Sequence, residues 1–460
     1  MSGLNGTLAI ALTSLAVSEQ ELATTSNNVA NANTPGYSRE SAVVTAGNPI
    51  LEGAHSFGSG VVLQKIESLR DPILEIQLNQ ATQQQSALDA SLTQLQQLQT
   101  QFASASSGIG ADISNFFNSL QQLSPDPSNL ELRQSVLTAA NTLTTDFNTT
   151  ARSLQTQRGN LDLNVVQAVS RVNILTAQIA GVDRQISDLQ STGQSAGTLV
   201  DTQTSLIRQL SGLIDVSVIP TDQGITLATT NGTTLVSGLQ SFALATERGS
   251  DGVQHIFSGT QDITNSLKGG SLAGLIQVRD QEIPGLGNSL DQLATGLATG
   301  LNTANQSGFD LNGHAGGDLF VAPPVGGAGA AGVLTVNITD PKLIAASSDG
   351  TTGSNGNLAV LSAVATQPLA NGKTPIDSYS NLVFQVGNTT SNTSADAESS
   401  NLIVQQLQDQ RGSVSGVSLD QEAANLIQYQ TAYQAAARVV SAVDSLLSDA
   451  VNLGLGAALQ

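Results

Sequence analysis

The chain has 460 residues, of which 36 are acidic and 16 basic, for a formal net charge of −20; charged residues make up 11% and aromatics 3%. That charge repels a phosphate backbone and no Lys/Arg cluster offsets it, which excludes nucleic-acid binding. No run reaches about 18 apolar residues, which excludes membrane insertion, and zero Cys removes disulfide scaffolds, thiol catalysis and cysteine metal sites.

Taken in chain order, Leu4 to Val17 looks faintly like a secretory core. The first basic residue is Arg39, so no positive n-region precedes it and a cleaved signal is not expected. The same stretch opens a mostly apolar heptad seam at Leu4, Leu8, Ala11, Leu15, Ser18, Leu22, Thr25 and Val29. The Asn-rich run that follows, including Asn28 and Asn33, can cap and turn without charge, and Pro35 with Gly36 ends the helix. Tyr37 supplies an aromatic anchor with a polar tip for a neighbouring chain. The seam returns at Leu74, Leu78, Ala81, Gln85, Leu88, Leu92 and Leu95. From Leu161 to Leu189 every seam position is apolar. An earlier stretch from Val136 to Leu154 is nearly in register with it, and the phase slips by one residue near Arg158 and Gly159. That slip is compatible with one long kinked helix or with two helices.

Val216 to Phe257 reads as short β segments separated by the Asn231-Gly232 and Asp251-Gly252 turns. A helical block runs from about Leu272 to Asn305. Gly-rich loops, a predicted strand from Val333 to Ile338, a helix near Leu358 and a long helix from about Asn381 follow. The last seam is Leu426, Tyr429, Tyr433, Ala436, Val440, Val443, Leu447 and Ala450. Positions flanking the seams are mostly Gln, Ser, Thr, Asn and Ala, and Met1 to Ser38 carries only Glu19 and Glu21 as charged side chains. Helices that face water tolerate charge, whereas helices surrounded by protein do not, because an unpaired buried charge is costly. The alternative is a low-charge composition shared by the whole proteome. An isolated helix of this kind is marginal in water. The two chain ends are therefore expected to be loose in the monomer and to order when subunits pack together.

No catalytic constellation survives inspection. Gly327, Gly329 and Gly332 spell GxGxxG, but APPV precedes them and a predicted strand follows, so a flexible loop is expected. Asp310, Asn312, His314 and Asp318 loosely resemble a calcium loop, with Ala315 and Val321 where Gly and Glu are required. The three His (His55, His255, His314) are scattered, and no G-x-S-x-G elbow is present. Neither enzyme activity, cofactor nor metal is expected.

Two stretches carry a family resemblance. Asn27 to Arg39, NNVANANTPGYSR, resembles the N-terminal signature of bacterial flagellar axial proteins. Gly416 to Leu447, GVSLDQEAANLIQYQTAYQAAARVVSAVDSLL, resembles the C-terminal signature of the hook-associated protein 1 family (FlgK), the hook–filament junction proteins. Gly269 to Asn302, Phe309 to Phe320, Asn337 to Ser347 and Ile113 to Leu143 are similar to that family's central blocks. The match runs in order over nearly the whole chain. Ala196 to Leu206 departs from the pattern by carrying little charge, and Gln421 stands where a second acid is common.

The resemblance and the patterning together imply a mainly α, multidomain fold with β-rich insertions. Residues 1–35 with 419–460 form terminal coiled-coil helices. Residues 36–214 with 269–305 and 357–418 form a long-helix bundle. Residues 215–268 with 306–356 form an outer β-rich domain. The implied role is a ring of subunits joining hook to filament, secreted without a cleaved signal through the flagellar type III channel to the extracellular flagellum. Implied partners are further copies of the chain, hook protein, hook-associated protein 3 and an export chaperone. The chaperone would cover Leu426, Tyr433, Val440 and Leu447 as an amphipathic helix in a groove. The assembly interface is assigned to Leu4, Leu8, Leu15, Leu22, Asn28, Val29, Asn33, Pro35, Gly36 and Tyr37 with Leu426, Tyr429, Tyr433, Val440, Val443 and Leu447. A hook or distal-rod subunit, and a secreted adhesin or surface enzyme, remain as alternatives.

Overall fold

The computed structural model describes residues 2–52, 55–102, 108–192, 194–221 and 224–457. Helix α1 (Ser2–Asn31) ends in a tight turn, with Thr34 N–H donating to Asn31 O at 2.9 Å and Tyr37 N–H to Thr34 O at 3.1 Å. Gly36 sits there at φ +86°, a conformation that disfavours any side chain. Next come strands β1 (Glu40–Ala46), β2 (Ile50–Glu52), β3 (His55–Phe57) and β4 (Val61–Ser68). β1 and β4 pair antiparallel, Glu40 opposite Ser68 and Ala46 opposite Val61, with a register shift at Val43/Val44, and the ribbon lies against α1. A Cβ on Gly60 would sit 2.5 Å from Thr13 Oγ1 and 3.3 Å from Ile10 Cα, so only glycine allows the ribbon this close. Residues 36–214 are assigned above to the helical bundle, yet residues 40–68 form this ribbon on α1. Their alternation is muted because the ribbon is half-buried on one side only, and Lys65 and Glu67 pair with each other at its surface.

The bundle is built from α2 (Pro72–Phe102), α3 (Ile109–Leu123), α4 (Leu130–Ser191) and α5 (Gly197–Ser211). α4 runs unbroken for 62 residues, roughly 93 Å at 1.5 Å per residue. Asn129 caps it, its side chain accepting from Glu131 N–H at 2.9 Å and Leu132 N–H at 3.1 Å. The apparent slip at Arg158 and Gly159 resolves into one continuous stripe, because the buried residue between Leu154 and Leu161 is the polar Gln157. Its amide donates to Gln94 O at 3.2 Å and accepts from Gln101 at 3.1 Å. By length and composition one window of α4 could cross a membrane; here Val136, Leu161, Val165 and Val172 on its stripe are completely buried in the bundle.

After α5 the chain makes two small antiparallel sheets. β5 (Ser217–Thr221), β6 (Gly224–Ala228), β7 (Thr234–Ser237) and β8 (Gln240–Ser241) follow in order, and β9 (Leu244–Arg248), β10 (Gln254–Ser258) and β11 (Gln261–Asp262) form a second sheet around β10. They are fastened to α4. Asn173 both donates to Leu244 O and accepts from Leu244 N–H at 2.8 Å, and Asp162 accepts from Gln254 N–H at 2.7 Å. Helices α6 (Gly270–Gln277) and α7 (Ile283–Gln306) are joined by a π turn at Val278–Glu282. The fully buried Arg279 of that turn pairs with Asp162 at 2.9 Å and donates to Gln254 O at 2.8 Å, locking the turn, α4 and β10 together.

The return path holds α8 (Ala330–Val333), α9 (Gly356–Ala363), α10 (Pro375–Ser415) and α11 (Leu419–Ala457). Where a strand from Val333 to Ile338 was expected, α8 ends at Val333 and the non-helical segment after it pairs through a single bridge, Phe320 with Val336. The Asp291 carboxylate accepts from Gly329 N–H at 2.7 Å and Ala331 N–H at 2.9 Å, which favours a helical turn at that place. Residues 306–356 do not join the β5–β11 sheets in one layer. They pack around residues 133–151 of α4, where buried Arg133 donates to Ile344 O at 2.7 Å and Asn148 to Leu334 O at 2.7 Å; the sheets lie along residues 162–183. The fold is thus mainly α with small antiparallel insertions, as expected. One continuous apolar core runs from Leu95 to Val386, and α1 and α11 lie outside it.

Asp112 of α3 is buried beside Asp146 of α4, and burial together with that neighbouring carboxyl pushes its own up to about 7. Such a group is protonated in the folded chain and ionised in the unfolded chain between about pH 4 and 7. The contribution of this group to bundle stability is therefore full below about pH 4 and is lost as pH rises to 7. Asp112→Asn is expected to flatten that decline in urea melts at pH 5 and pH 7.5; an unchanged slope would show the proton is not held there.

Candidate functional site: a polar clasp at the root of the terminal helices

α1 and α11 run antiparallel, with Asn28 facing Glu422 and Glu21 near Tyr429. Ala11, Val17, Ala436 and Val443 are buried between them, while Leu4, Leu8, Leu15, Leu22, Leu426, Tyr429, Val440 and Leu447 are half-buried. Of the remaining residues assigned to an interface, Val29 and Tyr433 are exposed at 39% and 36%, Asn33 and Pro35 are also exposed, and Gly36 is half-buried.

Asn28 and Tyr37 differ from the expectation. Both are buried within their own chain, so Tyr37 does not point to a neighbour. Asn28 closes a backbone-like pair with Glu40, donating to its O at 2.8 Å and accepting from its N–H at 2.9 Å. The Tyr37 hydroxyl donates to Asn28 Oδ1 at 2.9 Å. Burial, with Glu40, Asp201 and Glu422 nearby, pushes the Tyr37 phenol well above its ordinary range, so it stays a donor. The short side chains of the Asn run thus tie the end of α1 to the start of β1.

Around this pair the charges gather. Glu422, in the first turn of α11 and 1% exposed, accepts from Arg39 Nε at 2.6 Å and from Asn28 Nδ2 at 3.3 Å. Arg39 N–H donates to Ser415 O at 2.9 Å, holding the link between α10 and α11. Ser38 is fully buried; its N–H donates to Asp201 at 3.2 Å, and its Oγ accepts from Arg70 Nε at 3.3 Å and Arg411 Nη2 at 3.2 Å. Arg70 pairs with Asp201 at 2.7 Å, and Glu75 takes Arg411 at 2.5 Å on one oxygen and Arg208 at 2.8 Å on the other. Four arginines (39, 70, 208, 411) pair with three carboxylates (Glu75, Asp201, Glu422), and beside them the Glu40 carboxylate accepts from Asn27 Nδ2 at 3.3 Å. The clasp is therefore neutral in a chain of net charge −20 and joins α1, β1, α2, α5, α10 and α11. Each of these side chains has at least one partner, with Arg208 Nε the one buried atom among them left without, so the arrangement supports mechanical coupling rather than proton transfer.

The sequence reading missed Arg70, Glu75, Asp201, Arg208, Arg411 and Glu422. The available signal was charge scarcity: each is one of few ionised side chains in a neighbourhood of Gln, Ser, Thr and Asn. The lookalike motifs are filled by local bonds. Asp310 accepts from Asn312 N–H at 2.8 Å and His314 N–H at 2.9 Å, and Gly327 precedes α8 rather than following a strand. His255 sits between Asp262 at 2.6 Å and Asp251 at 3.2 Å at the sheet surface. Among the described residues no group of three His, Cys, Asp or Glu is arranged to hold a metal.

Comparison with known proteins gives consistent matches. Residues 95–320 match the family described as flagellar hook-associated protein FlgK helical domain. Residues 410–453 match flagellar basal body rod FlgEFG protein C-terminal, and residues 8–37 match flagella basal body rod protein. The chain is 26% identical to flagellar hook-associated protein 1 of Escherichia coli (strain K12) over 96% of its length and 98% of that protein's. It is 28% identical to flagellar hook-associated protein 1 of Bacillus subtilis (strain 168), covering 96% of this chain and 97% of the relative. The solved flagellar hook junction protein FlgK from Burkholderia pseudomallei superposes with a TM-score of 0.67 at 18% identity, over 74% of this chain and 100% of that one.

Proposed function

Because the chain belongs to the FlgK family of flagellar hook-associated proteins, we propose that the α1–α11 pair is its assembly element and that the clasp transmits load from that pair to the bundle. The protein is a structural component of the bacterial flagellum at the hook–filament junction, not an enzyme. The observation that carries the reading of the ends is their separation from the core. α1 and α11 contribute nothing to the continuous apolar core, yet present Ile10, Leu12, Ile427 and Leu446 to solvent at 38–67% exposure. Exposed apolar faces on low-charge helices favour burial against other chains. Residues 1–35 with 419–460 are read as the axial core of a ring of copies, with hook protein and hook-associated protein 3 on either side. Export through the flagellar channel is read as delivering that ring to the extracellular flagellum. The face through Leu426, Tyr433, Val440 and Leu447 is read as covered by an export chaperone before assembly.

A deletion strain tests the junction role directly. Loss of the chain is expected to release unpolymerised filament protein into the culture medium and to abolish swimming, both restored by the intact gene. Normal filaments in that strain would overturn the assignment.

A further inference from the structure

His255 stands on β10 with a carboxylate at each ring nitrogen. Its Nδ1 lies 2.6 Å from Asp262 Oδ2 of β11, and its Nε2 lies 3.2 Å from both oxygens of Asp251, in the turn between β9 and β10. A carboxylate only accepts hydrogen bonds, and a neutral imidazole donates at one nitrogen only. The arrangement therefore calls for the doubly protonated ring, which donates at both. Its surroundings hold it in that place. A Cβ on Gly249 would come within 2.6 Å of the ring, so glycine lets the imidazole lie against the start of the turn. Asp262 is oriented by Thr264, whose N–H donates to Oδ1 at 2.9 Å and whose hydroxyl donates at 2.7 Å. The same hydroxyl oxygen accepts from Ile256 N–H at 2.8 Å, one residue past His255.

We propose that His255 is a pH-operated staple on the rim of the β9–β11 sheet. Protonated, it ties the β9–β10 turn to β11; neutral, it lets one of the two go. The charges around it favour the proton. Glu247 of β9 is directly opposite His255 in the strand pairing, on the same face, while the next pair, Arg248 with Gln254, turns to the other face. Behind β10, Asp162 of α4 and Arg279 engage each other. Loss of the proton thus leaves Glu247, Asp251 and Asp262 without the cation that lies among them. The bond to Asp262 does most to strengthen the ring's hold on its second proton; partial burial opposes it and Asp251 adds to it. The stabilisation is therefore complete below about pH 6.5, the ordinary imidazole value, and is lost as pH rises through the higher value of the folded chain. Exposed ion pairs are individually weak, so the release is local. The sheet itself is kept by Ile263 N–H on Ile256 O at 2.8 Å and by the buried Leu244, Ile256 and Ile263.

The full chain has three histidines, His55, His255 and His314, so imidazole carbon–proton NMR spectra assign the ring signal that disappears in His255→Gln. Its midpoint is expected above about 6.5. Asp262→Asn is expected to lower that midpoint more than Asp251→Asn, because the shorter bond is the one to Asp262. A midpoint at or below the ordinary value, or one that neither variant moves, would overturn the bridge. Amide exchange reads the release itself. The Gly249 and Gly252 amides close the turn on Val253 O at 2.8 Å and Gly249 O at 3.1 Å. Corrected for the intrinsic pH dependence of exchange, their protection is expected to fall about fivefold between about pH 5.5 and about pH 8.5. His255→Gln is expected to show the lower protection at both. Equal protection at the two pH values in the parent chain, or full acid-pH protection in His255→Gln, would sink the staple even with a raised midpoint.

Discussion

Val443→Asp is expected to abolish incorporation into the flagellum and swimming while leaving the bundle folded. Val443 is 4% exposed on the seam of α11, one turn from the half-buried Val440 and Leu447. A carboxylate there has no cation within the seam, since Arg438 faces outward. Burying an unpaired charge costs several kcal/mol, more than a two-helix contact of this size returns. The pair is expected to separate and leave neither the α1–α11 contact nor a face for other chains. Val440→Asp acts in the same direction but less, because Val440 is half-buried and its carboxylate can reach water. Removal of Leu4 to Leu22 gives the same loss without a new charge. Urea melts of both variants should superpose on the parent, because the core from Leu95 to Val386 contains no residue of either helix. A bundle that melts with the terminal helices would show that the two are one cooperative unit.

Glu422→Ala is expected to free the terminal pair from the bundle. The change removes the carboxylate that accepts from Arg39 at 2.6 Å and Asn28 at 3.3 Å. It also removes one of the two acceptors of the Asn28 amide, 1% exposed, which keeps only its bond to Glu40 O at 2.8 Å. Losing a charge-assisted hydrogen bond in such a site costs about 1.5–3 kcal/mol. Global stability should move little, since the bundle core is elsewhere. The readout is amide exchange. The N–H groups of Arg39 and Glu40, and of the first turns of α11, are expected to exchange at least about tenfold faster. Glu422→Gln, which keeps an acceptor but no charge, should fall between the two. Unchanged exchange in Glu422→Ala would mean that the α10–α11 link is held without the clasp.

The periodicities along the chain were enough to locate the terminal seams, the long helical stripes and the β excursion after Val216, while the first helix ends at Asn31, a turn ahead of Pro35 and Gly36. Each of these depends on side chains within two or three turns of one another, so local spacing is sufficient. The family followed from linear motifs at both ends for the same reason. The interruption near Gly159 misled because Gln157 occupies an apolar position, and only the surrounding helices show that its amide is fully bonded there. The ribbon from Glu40 to Ser68 was hidden because its stability comes from contact with α1 rather than from strong alternation.

The clasp was out of reach for a different reason. Its bonds join residues separated by up to 394 positions, as in Asn28 with Glu422. No pattern in the string reports which of many isolated charges meet. Sequence alone therefore determined the kind of helices and the course of their apolar stripes, because periodic burial is a local property. Tertiary structure decided that Tyr37 turns inward, that residues 306–356 part from the sheets, and that the scarce arginines gather in one joint. Pairing charge with charge out of water depends on three-dimensional proximity, which chain order does not encode.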